Sequence, residues 1–305
     1  MKTVTAFAPA TVANVAIGFD CMGYALKDHG DLIRLEQISD RNILIEQETG
    51  DSVPLDPSLN TAGAALLSLQ QAFGLDFGWK VNIKKGIPMG SGWGGSAASA
   101  VAAVVAAETF LPHPLTSDQK LLFALDGEAV TGARHLDNVA AAFFGGVTLC
   151  DSRTKVVQTI EVPELISVCI HPRFSILTSE SRSVLPQTVL FQDAIEQLSR
   201  SLVGLTSLIQ RDFFALKKVF GDQMVEPLRA PQIPSFEKIQ KWAQELGIGA
   251  SLSGSGPTVF GWFTDLSSAH SWRDQVVELW ENEGLKTQVE VCTLNQKGAR
   301  VIYEE

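Results

Sequence analysis

Cysteine is scarce in this sequence, and what there is lies far apart. Cys21, Cys150, Cys169 and Cys292 are scattered over 305 positions with no paired short spacing. That excludes a disulfide-stapled scaffold and the usual cysteine zinc sites, and makes reduced, buried thiols the expectation. Positive charge is also in short supply: 24 Lys and Arg stand against 34 Asp and Glu, a formal net charge of −10. No basic patch offsets this balance, so nucleic acid and anionic membrane surfaces are poor partners. An anionic small molecule would have to be held by helix N-termini, loop amides or a few placed arginines. Long hydrophobic runs are missing as well. The longest weakly apolar stretch, Ala97 to Ala107, is about half of the ~20 residues that a membrane span needs. The Ala-rich start after Met1-Lys2 is broken by Pro9, Thr11 and Asn14 and lacks the apolar core of a signal peptide, so a cytoplasmic location is expected.

What is present is enough for a sizeable core: 45% of the residues are hydrophobic and 19% charged. Short alternating segments at 31–38, 42–47 and 79–84 read as strands. Apolar stretches at 146–150, 166–170, 258–263, 288–293 and 299–303 read as buried strands. Helical periodicity marks 59–73, 96–110, 117–131, 188–220, 235–246 and 267–283. Strands and helices do not alternate strictly, which predicts an α+β fold with antiparallel or mixed sheets rather than a doubly wound parallel one. A polar stretch at 151–159 follows a Gly-Gly strand and predicts two domains, 1–155 and 156–305, with the site between them. The Pro-rich 221–234 segment reads as a loop within the second.

The most informative segment is Lys84-Lys85-Gly86-Ile87-Pro88-Met89-Gly90-Ser91-Gly92-Trp93-Gly94-Gly95-Ser96, which runs into Ala97-Ala98-Ser99. It reads as a strand, a glycine-dense loop and an Ala-rich helix. Glycines allow backbone N–H groups to converge, and the helix N-terminus adds unpaired donors and a positive dipole end, so phosphate can be cradled without net positive charge. No Gly-Lys-Ser/Thr closes the loop, so it is not a Walker A motif. Gly90-x-Gly92-x-x-Gly95 with Glu108 downstream matches a dinucleotide fingerprint only weakly, because the preceding strand is lysine-bearing rather than buried. A plain flexible loop before a core helix is the bland alternative; four glycines within 90–95 and a hydroxyl at the helix start favour phosphate. Lys84 and Lys85 read as a solvated strand end.

Pro88 to Ser99 resembles the GHMP kinase signature Pro-x-Gly-x-Gly-Leu-Gly-Ser-Ser-Ala-Ala-Ser, with Trp93 in place of Leu and Gly95 in place of the first Ser. Pro9-Ala10-Thr11-Val12-Ala13-Asn14-Val15-Ala16-Ile17-Gly18-Phe19-Asp20 is similar to the opening of the homoserine kinase family within that group. His135-Leu136-Asp137-Asn138-Val139-Ala140, leading into Gly145-Gly146, is similar to another of its motifs. Ser253-Gly254-Ser255-Gly256-Pro257-Thr258 matches the superfamily's C-terminal glycine motif, and 178–182 and 226–229 also resemble homoserine kinase segments. The likeness runs in order along essentially the whole chain.

The resemblance implies a GHMP kinase fold of two α+β domains and transfer of phosphate from ATP to the side-chain hydroxyl of L-homoserine, a step of threonine biosynthesis. It implies ATP at Asn60 and at Pro88, Met89, Gly90, Ser91, Gly92, Trp93, Gly94, Gly95, Ser96, Ala97 and Ala98. Trp93, between two glycines, is expected to flank the triphosphate rather than to join the core. Ser96 and Glu128 would hold Mg²⁺ through hard oxygen atoms, and Ser96, Glu128 and Asn138 belong to the reaction centre. Asn14, Asp20, His135, Thr178, Arg182 and Arg229 would contact homoserine, with Asp20 on its ammonium and the two arginines forking its carboxylate. Asp137 is left open as a general base. The assembly is open too, a homodimer being one expectation. Two other readings stay in view: a GHMP kinase for mevalonate or a sugar, against which the Asp20, Arg182 and Arg229 set argues, and a non-catalytic sensor on the same fold, for which only Gly95 speaks.

Overall fold

The structure, a computed structural model, describes residues 2–132, 134–176, 181, 183–294 and 296–305. Its first sheet is built on two long antiparallel strands, β1 (Thr3–Val15) and β2 (Gly18–Ile38). β3 (Ile43–Thr49) runs parallel to β4 (Gly78–Lys84), and β4 pairs antiparallel with the far end of β2. The near end of β2 carries β5 (Val147–Cys150), which pairs in turn with β6 (Val157–Ile160). The chain's last strand, β11 (Arg300–Glu304), returns to pair with β1.

β1 escapes a sequence reading because Ala is a poor strand former, yet Ala6, Ala8 and Ala10 are fully buried there. The small side chains let a helix lie close against the sheet. That helix is α2 (Gly95–Glu108), whose residues from Ala97 to Ala107 are all buried. Its alanines combine high helix propensity with minimal bulk, so the helix can run through the middle of the domain. α1 (Thr61–Phe73) and α3 (Ser117–Glu128) pack on it, and α4 (Leu136–Phe144) packs on α2, β1 and β2.

The second sheet is antiparallel, β10 (Thr287–Thr293), β7 (Ile166–Pro172), β9 (Val259–Phe263) and β8 (Gly249–Leu252) in that order. α8 (Phe236–Leu246) and α9 (Leu266–Asn282) cover it around a separate core containing Trp272 and Trp280. The helical stretch expected over 188–220 is two helices, α5 (Phe191–Gln210) and α6 (Phe213–Val219), separated where Arg211 takes a left-handed backbone. The 221–234 loop contains one helical turn, α7 (Glu226–Arg229). Together these elements confirm an α+β fold with mixed and antiparallel sheets. No helix among the described residues is long and apolar enough to cross a membrane.

Candidate active site

The glycine loop is where four sequence segments meet. Gly92 and Gly94 have left-handed backbones. A Cβ on Gly94 would fall 2.1 Å from Thr11 Oγ1 and 2.6 Å from Asn138 Oδ1, and one on Gly92 would fall 2.4 Å from the Ser253 carbonyl. Only glycine permits both the conformation and the approach. Hydrogen bonds fix the junction: Thr11 N donates to Trp93 O (3.0 Å), Thr11 Oγ1 to Asn138 Oδ1 (2.8 Å), Ser253 Oγ to Gly92 O (2.7 Å) and Thr258 Oγ1 to Ser91 O (2.7 Å). Asn14, itself left-handed, donates from Nδ2 to Gly254 O (3.0 Å) and accepts the Asp20 amide at Oδ1 (2.8 Å). The motifs at 9–20, 88–99, 135–140 and 253–258 thus form one structural unit.

They surround a cavity of about 360 Å³, within the size range of small-molecule sites. Its lining includes Asn14, Asn60, Pro88 to Gly92, Gly94 to Ser96, Glu128, His135, Asn138 and Arg229. α2 starts at this cavity with no side chain capping its N-terminus among the described residues, so the amides of its first turn are available to an anion. Ser96 Oγ donates to Glu128 Oε1 (3.0 Å), and His135 Nδ1 lies 2.9 Å from the same oxygen. Glu128 is buried, and its Oε2 has no hydrogen-bond partner among the described residues. A buried carboxylate oxygen left open beside a serine hydroxyl suits a hard divalent cation.

Arg229 is 5% exposed and reaches in from α7. Its guanidinium donates to the carbonyls of Gly254 (2.9 Å) and Ser181 (3.3 and 3.4 Å) and lies over the Phe19 ring. Asn60 lines the cavity but spends its side chain locally: Oδ1 caps α1 at Ala62 and Gly63, and Nδ2 donates to Pro54 O. Asp20 is half-buried and left-handed, and it is absent from the lining. Asp137 is buried and is also absent from the lining, its Oδ1 accepting the Asn138 amide. Burial, and then repulsion from Asp20, push its carboxyl up to about 6. Thr178 and Arg182 lie outside the described residues.

Two expectations need correction, for Trp93 and Lys85. The Trp93 ring does not flank the cavity: it is fully buried between the His29 ring (4.9 Å) and the His171 ring (5.6 Å). The glycines on either side turn the backbone so that the indole points away from the ligand side and fills the seam between β2 and β7. Ala97 and Ala98 are buried in α2 and their side chains are absent from the cavity lining, so any contact with ATP would fall to backbone amides of the first turn. Lys85 is no solvated strand end. Its ammonium is buried against Asp31, and also donates to Gly95 O (2.9 Å) and Ser99 Oγ (3.0 Å). Asp31 in turn accepts the amides of Gly86 and Ile87 and the Ser99 hydroxyl. This pair ties the start of the loop to α2, and sequence reasoning missed Asp31 because its partners are 54 to 68 positions away.

Family models for the GHMP kinases match residues 60–146 (N-terminal domain) and 205–282 (C-terminal). A homoserine kinase of Xylella fastidiosa is 39% identical over 301 residues, covering 97% of this chain and 93% of the relative. The chain belongs to the homoserine kinase family of the GHMP kinases. A homoserine kinase of Chlorobaculum tepidum is 35% identical, with 99% of each chain covered. The crystal structure of the homoserine kinase from Cytophaga hutchinsonii superposes with a TM-score of 0.93 at 33% identity, over 98% of this chain and 97% of that one. Lactococcus lactis galactokinase, at 13% identity and a TM-score of 0.71 over 97% and 94% of the two chains, shares the fold of these kinases.

Proposed function

We propose that this protein transfers the terminal phosphoryl group of ATP to the side-chain hydroxyl of L-homoserine, giving ADP and O-phospho-L-homoserine. The observation that carries this reading is the single cavity shared by the uncapped start of α2, the Ser96–Glu128 pair and the buried Arg229. Residues 1–155 supply the phosphate side and residues 156–305 supply Arg229.

Phosphoryl transfer through a loose transition state asks for positioning and charge stabilisation more than for covalent chemistry. Amides of the loop and of the first turn of α2 take up the charge on the triphosphate. The glycines are locked by Thr11, Asn138, Ser253 and Thr258, so these donors are in place before the nucleotide arrives. Ser96 and Glu128 would hold Mg²⁺ between them, and such a cation supplies neutralisation of charge on the phosphate oxygens. His135 steadies Glu128 through Oε1. On the amino-acid side, Arg229 offers guanidinium donors to the substrate carboxylate, and Asp20, beside Asp137, offers negative charge to its ammonium. Arg182 and Thr178 complete the proposed substrate set. Asn138 stands between the two halves of the site and orients the acceptor hydroxyl. No proton acceptor is assigned, since Asp137 is absent from the cavity lining. Four free cysteines suit a reducing cytoplasmic setting.

The test is ADP release by the purified protein with Mg²⁺ and a panel of L-homoserine, L-serine, L-threonine, mevalonate and galactose. Turnover should be fastest with homoserine. Serine should be slow, since its hydroxyl is one carbon short while its two ends stay clamped. Turnover of mevalonate or galactose with none of homoserine would overturn the substrate, and nucleotide binding without transfer to any of them would overturn the activity.

A further inference from the structure

Glu226 is a buried carboxylate with no part in the chemistry above, and it shares the short helix α7 with Arg229. That helix has only 4 residues, far fewer than the ~12–15 at which a helix begins to hold its own shape in water. Where Arg229 stands is therefore decided by what anchors the turn. Ahead of it, the Asp222 carboxylate accepts the amides of Met224 (2.8 Å), Val225 (3.0 Å) and Glu226 (3.2 Å). Pro227, which has no N–H to leave unpaired, occupies the first turn.

The Glu226 side chain supplies a second anchor. Its Oε2 accepts the Ser251 hydroxyl from β8, and its Oε1 accepts Gln240 Nε2 from α8 (2.6 Å). At the other end of α7, Arg229 Nη1 donates to Gly254 O (2.9 Å). Both contacts span 25 positions, so α7 lies along the chain from Ser251 to Gly254 with one rung at each end. Arg229 and Gly254 line the substrate cavity, and Glu226 does not. Burial raises the Glu226 carboxyl to about 7, a cost that an apolar side chain would avoid. An apolar side chain would also give up both hydrogen bonds, and with them the register of α7 against β8.

We propose that Glu226 is a positioning residue for the amino-acid substrate, holding α7 in the register that aims Arg229 at the substrate carboxylate. The inference rests on the carboxylate role given to Arg229 under the proposed function. Glu226→Ala should raise KM for homoserine by about tenfold, with KM for ATP and kcat at saturating homoserine near the wild-type values. Glu226→Gln keeps the shape, can accept from Gln240 and can donate to the Ser251 hydroxyl, so it should restore most of that loss. A double-mutant cycle on KM for homoserine separates aiming from mere bracing. With Arg229→Ala already present, Glu226→Ala should add less than about twofold, since the group it aims is gone. Should Glu226→Ala fail to fold, Gln240→Leu removes one of its two donors. That variant should raise KM for homoserine by about threefold, again only while Arg229 is present. The same rise with and without Arg229, equal rises for ATP and homoserine, or an unchanged KM for homoserine in the variant that folds would each overturn the positioning role. An unchanged KM in Arg229→Ala itself would overturn the carboxylate assignment, and this proposal with it.

Discussion

Ser96 Oγ donates to Glu128 Oε1 at 3.0 Å and leaves Oε2 of the same carboxylate buried and open among the described residues. Glu128→Gln keeps the shape and removes the charge. It should lower kcat by about 100-fold or more, the scale seen when a transition-state charge partner is lost, with KM for homoserine near the wild-type value. Steady-state kinetics across a Mg²⁺ titration check this. Wild-type turnover by the variant at limiting Mg²⁺ would remove Glu128 from the metal role.

Asp31 and Lys85 form a buried ion pair behind the loop. Asp31→Asn leaves an ammonium buried without its counter-charge, which should cost about 3–5 kcal/mol of stability. Adding Lys85→Met removes the orphan and should recover part of that loss, a coupling that denaturant titration of the two single variants and the double variant measures directly. Additive losses would show that the pair does not act as a unit.

Trp93 stands where the family signature has Leu, and its indole lies between His29 and His171. Trp93→Leu should shrink the packing in that seam and lower stability by about 1–3 kcal/mol, below the range of full truncation of a large aromatic. KM for ATP should change little, because the ring does not line the cavity. A large rise in KM for ATP with unchanged thermal stability would return the ring to the nucleotide.

The legible and illegible parts of this site divide along sequence distance. The loop from Gly90 to Ser96 and its helix were readable because glycine density and the following alanines are local signals. The meeting of Thr11, Gly94 and Asn138 was implied only through resemblance, as nothing in the spacing of three distant segments says that they touch. The orientation of Trp93 depends on the φ values of its neighbours, which glycine leaves free. Lys85 read as solvated because the residue that buries it, Asp31, sits on another strand. β1 and the returning β11 were hidden for opposite reasons: Ala6, Ala8 and Ala10 look unlike a strand, while 299–303 looked like one but gave no hint that it pairs with the first sheet.

Arg229 donates to the Gly254 and Ser181 carbonyls as well as facing the cavity. Arg229→Lys keeps the charge but loses the planar fork, so it should still raise KM for homoserine by about tenfold or more, on the scale of a lost charged hydrogen bond. KM for ATP should hardly move. Equal rises for both substrates would make Arg229 a purely structural brace of the 253–258 loop.

Asp137 supplies the last test, through pH. Burial, and next the repulsion of Asp20, raise its carboxyl from the usual 3.8 to about 6 in the folded protein. The folded state therefore binds this proton more tightly than the unfolded chain. Between pH 4 and 6 the native protein holds more protons at this position than the unfolded one, so its contribution to stability falls as pH rises through that window and is constant above it. The shift corresponds to about 3 kcal/mol across the window. Asp137→Asn cannot ionise and should flatten that slope, gaining stability relative to wild type at pH 7 and not at pH 4. Urea titrations at both pH values measure the difference. Glu226 serves as an internal control: held up to about 7 mainly by burial on α7, it should keep its own decline at higher pH in the Asp137→Asn protein. A slope between pH 4 and 6 that survives the substitution would mean that another carboxyl carries it, and that Asp137 is already ionised in the native fold.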